Sequence, residues 1–125
     1  MKLSVERINP YLEVSDLTES LKYYVDVLGF TLYVKTPIVG IIERDGHQVH
    51  LIRSEGEVSP HRVWVGVNNI EPLLSQYVLR GAEIYQAPIN YSWAYQMMVK
   101  DLDGNVLIFG SGPKDNLPFE DGKIE

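Results

Sequence analysis

Apolar and polar residues alternate through INPYLEV, recur at helical spacing through SDLTESLKYYVDVLGF, and alternate again through TLYVK, IVGIIER and VHLIRS. The same order returns in RVWVGV, NNIEPLLSQYVLRG, AEIYQ, AYQMMVK and NVLIFGS. A period of two marks a strand with one buried face, and recurrence at three and four marks an amphipathic helix. The chain therefore predicts a strand, a helix and three strands, twice over. Val14 and Asp16 recur as Val67 and Asn69, Gly29 as Gly81, and the turn Asp45-Gly46 as Asp103-Gly104. Identity between the halves is thin, so the order of elements, the paired glycines and the paired turns carry the duplication. The expected architecture is α+β: two βαβββ modules, about residues 8–53 and 62–110, forming curved mixed sheets around a cleft within a single domain. The polar link 54–61 joins them, and an acidic tail, 111–125, is expected to be irregular and tacked down by Phe119.

Local chemistry supports both helices. Asp16 followed by Glu19 reads as a capping box, Leu17, Leu21, Tyr24, Val25 and Leu28 form one face, and Gly29 suits a left-handed C-terminal cap. In the second copy Asn69 caps, Pro72 is tolerated in the first turn, Leu73, Leu74, Tyr77 and Val78 form the face, and Gly81 ends the helix.

Strand alternation then divides the faces. Val63, Val65 and Val67 share the helix-covered side with Leu51, Leu107 and Phe109, and Ile8, Pro10, Leu12 and Val14 are expected there too. The uncovered side carries Asn9, Tyr11, Tyr33, His50, Arg62, Trp64 and Ile108, with Glu13 and Val106 beside them. A face with two tyrosines and a tryptophan predicts a binding surface, because soluble proteins seldom leave such patches open to water. Curling the two sheets toward one another makes it a pocket, the default site.

Composition narrows what that surface meets. The 125 residues, 45% hydrophobic, suffice for one compact core. With no cysteine there is no disulfide framework and no thiolate nucleophile or ligand. A net charge of −6 argues against nucleic acid and suits a cationic small molecule. No apolar run approaches the ~20 residues of a membrane span, and MKLSVERINP lacks a signal peptide's apolar stretch, so a cytoplasmic location is expected. There is no G-x-S-x-G elbow, phosphate loop, dinucleotide fingerprint or helical histidine pair.

The βαβββ duplication, LGFTLYV after the first helix, the DGHQVHL turn and the ending WAYQMMVKDLDGNVLIFGS together resemble the vicinal oxygen chelate superfamily of glyoxalases, extradiol dioxygenases and bleomycin resistance proteins. The likeness covers about residues 8 to 112 and is closest to the bleomycin resistance branch. Metal-dependent members place ligands on the first and last strand of each half, positions that fall on Asn9, His50, Arg62 and Ile108 here. Only His50 is a good donor: Arg62 has no acceptor, Ile108 offers nothing, and a neutral amide suits a transition metal poorly. A catalytic site needs about three protein ligands. Sliding the fifth strand would bring His61 beside His50 but turn its valines out of the core.

The resemblance therefore implies a metal-free, cofactor-free binder that holds a small aromatic or cationic ligand, a bleomycin-type antibiotic being one candidate, in clefts at a homodimer interface. Tyr11, Tyr33, His50, Arg62, Trp64, Trp93 and Ile108 are the candidate ligand contacts. Each has a plainer alternative. Trp64 could fill the interior, His50 could be a hydrogen-bonded cavity residue, and Arg62 could pair with Glu13 or Glu43 rather than anchor a ligand's carboxylate or phosphate. The DLDGN turn is read as structural, a tight hairpin at Asp103-Gly104. The competing expectation is a glyoxalase-like lyase or isomerase, or a dioxygenase, with an atypical metal site involving His50 or with His50 as acid or base.

Overall fold

A computed structural model describes residues 1–123. The chain forms two compact units, Met1–Ser59 and a second from Pro60 onward. The first contains β1 (Tyr11–Val14), α1 (Leu17–Asp26), β2 (Thr31–Lys35), β3 (Val39–Arg44) and β4 (His47–Arg53). The second contains β5 (Arg62–Gly66), α2 (Ile70–Arg80), β6 (Glu83–Asn90), β7 (Tyr95–Lys100) and β8 (Val106–Ser111), then a short 3-10 turn at Asp121–Lys123. Each unit is a four-stranded mixed sheet, ordered β1-β4-β3-β2 and β5-β8-β7-β6. In each the first strand runs parallel to the last and the others pair antiparallel. The repeated sequence pattern has thus become a repeated topology. Among the described residues no helix is long and apolar enough to cross a membrane.

The helix ends follow the local chemistry. Asp16 Oδ1 accepts a hydrogen bond from Glu19 N at 3.0 Å, and Asn69 Oδ1 accepts one from Glu71 N at 3.2 Å. Gly81 closes α2 in the left-handed conformation with φ 82°. α1 lies over β2, β3 and β4, and its Leu17, Leu21 and Tyr24, with Leu28 just beyond its end, are buried, as are Leu12, Val14, Ile42 and Leu51 of the sheet. Gly40 gives α1 room: a methyl group there would lie 2.5 Å from Leu21 Cδ2. α2 lies over β6, β7 and β8, with Leu73 and Tyr77 set against Met97, Val99, Leu107 and Phe109.

Four expectations are corrected. Ile8 is 88% exposed and precedes β1, because pairing with β4 begins at Tyr11. Val78, expected on the buried face of α2, is exposed, and Val63 and Val65 are only half-buried, since they sit on an edge strand while α2 lies over β6, β7 and β8. The two Asp-Gly turns are also built differently. Asp45 and Gly46 both take positive φ, 50° and 82°, which suits a two-residue hairpin. In the second turn only Gly104 does, and buried Asp101 organises a wider loop. Its Oδ1 accepts from Asp103 N and Asn105 N, its Oδ2 accepts from Asn105 Nδ2, and Asn105 Oδ1 accepts from His61 N. Finally, the tail runs without helix or strand over residues 112–120, but it is held by hydrogen bonds to Asn90 and Ser92 while Phe119, expected to tack it down, stays exposed; residues 124–125 lie outside the described part.

Candidate functional site

Register decides which side chains share the open face of each sheet. In the second unit Arg62 pairs with Val106, Trp64 with Ile108 and Gly66 with Gly110, and the next strand continues these rows as Lys100, Met98 and Gln96. Val63 and Val65 pair with buried Leu107 and Phe109 on the opposite face. The fifth strand is therefore not slipped, and His61 stays outside it.

Trp64 lies down along this surface. A methyl group at Gly110 would come within 2.6 Å of its Cζ2, and one at Gly66 within 2.9 Å of its Cζ3. The indole thus rests on two glycines of adjacent strands. Its Nε1 donates to Gln96 Oε1 at 3.2 Å, on the next strand over. One ring face is occupied by backbone, the ring N–H is satisfied, and the residue remains 56% exposed. Glycine inside a strand often marks a close approach. Gly66, Gly110 and Gln96 complete the Trp64 seat, and the two in-strand glycines were its legible signal.

Arg62 stands one row away with Nη1 4.0 Å from Met98 Sδ. Among the described residues it makes no ion pair: Glu13 accepts from Ser59 N and Glu43 from Gln48 Nε2. Trp93 sits at the tip of the β6–β7 hairpin, closed by Tyr91 N donating to Ala94 O at 2.8 Å. Its ring stacks on buried Tyr91 at 4.7 Å and 9° between planes, leaving it 52% exposed.

The first unit repeats the geometry with different chemistry. Tyr11 pairs with His50 as Trp64 pairs with Ile108. Tyr11 stacks on the imidazole at 4.6 Å and 16°, and is itself 63% exposed. His50 Nε2 is buried and has no hydrogen-bond partner among the described residues. Tyr33 falls at a bulge where the register shifts between Leu32 and Val34, so it has no partner across β3. It lines a shallow hollow of about 340 Å³ with Thr31, Glu43 and Arg44. Asn9 precedes β1 and is half-buried.

The donor set does not fit a metal. Asn9 and His50 are the only donors in the first unit's pair of ligand positions, and Arg62 and Ile108 supply none in the second. Among the described residues no group of three His, Cys, Asp or Glu side chains could hold an ion.

The rings and electrostatics of the second unit are tied together at one further point. Burial first, then a hydrogen bond to Glu71 and its negative charge, hold the Tyr95 phenol above its ordinary 10.0. Lys114 Nζ lies 5.2 Å over the Tyr95 ring and 4.0 Å from Glu71 Oε1.

Fold and site together define a duplicated βαβββ protein with an aromatic surface on each open sheet. The chain belongs to the Glyoxalase/Bleomycin resistance protein/Dioxygenase superfamily, whose family model matches residues 7–109. Its fold is shared by TioX from Micromonospora sp. ML1, at 21% identity and TM-score 0.78 over 86% of this chain and 99% of that one. It is also shared by TnmS3, an antibiotic binding protein from Streptomyces sp. CB03234, at 20% identity and TM-score 0.78 over 89% and 99%. The bleomycin-binding protein of Streptomyces verticillus, solved with copper(II)-bleomycin, aligns at 18% identity and TM-score 0.78 over 89% and 99%. No curated protein matches the sequence.

Proposed function

We propose that this chain is a small-molecule binding protein of the bleomycin resistance type, sequestering a planar aromatic or cationic ligand without a metal of its own. The ligand sits in an aromatic-lined cleft at a homodimer interface. The observation that carries this reading is the Trp64 platform: an indole seated on Gly66 and Gly110, held by Gln96, with its other face open. A ring fixed in this way stacks on a ligand without losing rotamer freedom at the moment of binding. Trp93 on Tyr91 and Tyr11 on His50 are two more half-covered rings of the same kind. A stacked ring contributes roughly 0.5–2 kcal/mol, more for a cationic partner when desolvated. The net charge of −6 favours a cation, and Arg62, with no ion pair among the described residues, can anchor an acidic group on the ligand. Exposed Val78 and Leu79 on α2 are apolar surface available to a second copy.

The test is titration with metal-free bleomycin, followed by tryptophan emission and by sedimentation. Saturable quenching by a dimer is expected, unchanged by EDTA, with affinity reduced about tenfold or more in Trp64→Ala. Unquenched emission with bleomycin and with a panel of planar aromatic cations refutes the reading. A second reading, a glyoxalase-like lyase or isomerase or a dioxygenase, draws on the buried, unpartnered Nε2 of His50. It requires turnover that His50→Ala abolishes, and about one equivalent of bound metal in protein purified without added ions would favour it.

A further inference from the structure

The segment that follows β8 does more than trail from the fold. Asn90, buried at the end of β6, spends its side chain on it: Nδ2 donates to Lys114 O at 3.0 Å and to Leu117 O at 3.1 Å, and Oδ1 accepts from Lys114 N at 2.8 Å. Its backbone carbonyl accepts from Glu120 N at 2.8 Å. The segment then reaches the hairpin tip itself. Asp121 Oδ1 accepts from Ser92 N and Asp121 Oδ2 from Ser92 Oγ, both at 2.8 Å. Ser92 is the residue before Trp93, and Tyr91, on which Trp93 stacks, is the residue after Asn90. The hairpin tip carrying Trp93 is therefore tied to the C-terminal segment at two points, one buried and one exposed.

An isolated hairpin tip is among the most mobile parts of a domain. Here both hydrogen-bonding atoms of one exposed carboxylate are used to fix a single residue beside a half-exposed tryptophan. We infer that residues 114–121 form a strap that presets the Trp93 ring for ligand, with Asp121 as the positioning residue. The role assigned to Trp93 rests on the binding reading above. The strap's effect on the hairpin does not. A ligand that meets an already ordered ring loses less on binding than one that must order it. Cutting the exposed clasp should lower affinity without lowering stability, since Ser92 and Asp121 are both exposed.

The experiment uses Trp64→Phe protein, so that Trp93 is the only tryptophan, and compares Asp121→Ala, Ser92→Ala and Asp121→Asn. Without ligand, Asp121→Ala is expected to lower the anisotropy of Trp93 emission and raise its quenching by acrylamide, with the melting temperature nearly unchanged. Ser92→Ala and Asp121→Asn, which can each retain the bond from Ser92 N, should fall between. With metal-free bleomycin as the probe, Asp121→Ala in the otherwise unaltered chain should raise Kd about fivefold, and Trp93→Phe with and without Asp121→Ala should bind alike. Unchanged anisotropy and quenching in Asp121→Ala overturn the strap. Mobility that rises without any loss of affinity overturns the positioning role. If bleomycin and the aromatic cations bind neither form, the binding reading and the positioning role fail together, while the ligand-free mobility still decides the strap.

Discussion

Replacing Gly110 with alanine should lift the Trp64 indole from the sheet. The added methyl would lie 2.6 Å from Cζ2 and 3.0 Å from both Cε2 and Nε1, against ordinary carbon contacts of about 3.5–4.0 Å. The ring must move by about 1 Å, and Gly66 beneath its other end keeps it from sliding along the surface. Gly110 is not among the glycines with positive φ, so alanine adds no backbone strain and acts through the ring alone. The displaced indole loses the Nε1 hydrogen bond to Gln96, about 1 kcal/mol, and part of its contact with the glycine backbone. The total cost is about 1–2 kcal/mol, a fall in Tm of about 3–8 °C for a chain of this size. Thermal denaturation measures it, and Trp64 emission in a Trp93→Phe background reports the change around the ring. The decisive comparison is a double-mutant cycle. In Trp64→Ala protein the alanine at 110 meets no ring, and its cost should fall to within about 0.5 kcal/mol of zero. An equal loss in both backgrounds refutes the platform geometry.

Two further perturbations test the second unit. Because folding raises the Tyr95 pKa above its ordinary 10.0, the folded chain keeps this proton longer than the unfolded one; Tyr95's contribution is intact below about pH 10 and lost as pH rises through the folded value. Urea unfolding at stepped alkaline pH should show this slope, and Tyr95→Phe should flatten it. Asp101→Ala should cost about 2–4 kcal/mol in the same assay, because it strands the N–H groups of Asp103 and Asn105 and the Asn105 amide in a buried turn. Asp45→Ala, in an exposed turn that needs only a positive φ, should cost about 1 kcal/mol.

Periodicity was enough to place all eight strands and both helices, because burial on one face imposes a period that the backbone cannot evade. Alternation also put Arg62, Trp64, His50 and Ile108 on the open faces, since one-residue slips are forbidden wherever the opposite face holds a core. It failed where the ladder departs from regularity. Ile8, expected on the covered face, lies before the point where pairing begins, and Tyr33 falls at a bulge, where alternation assigns no face. It was silent on how a side chain lies once its face is known. That Trp64 reclines on glycine depends on Gly66 and Gly110 standing side by side, and this adjacency exists only after β5 pairs with β8. The strap was unreadable for a related reason: its bonds use Asn90, Ser92 and Asp121, polar residues that in an acidic tail and a loop look like solvated surface.

The two units share a register, and comparing them row by row shows where ring and donor fall in each. Tyr11 and His50 in the first unit occupy the places of Trp64 and Ile108 in the second. At the last-strand position the two copies differ in chemistry: His50 carries an electron-pair donor and Ile108 a hydrocarbon. In both copies the neighbouring first-strand position carries an aromatic ring: in the first it stacks on the donor itself, and in the second it covers the adjoining glycines. Donor chemistry and stacking surface are therefore set at adjacent positions of the same rows. On the open faces the rings of Tyr11 and Trp64 offer contact surface, and beside Tyr11 the His50 Nε2 is buried with no hydrogen-bond partner among the described residues.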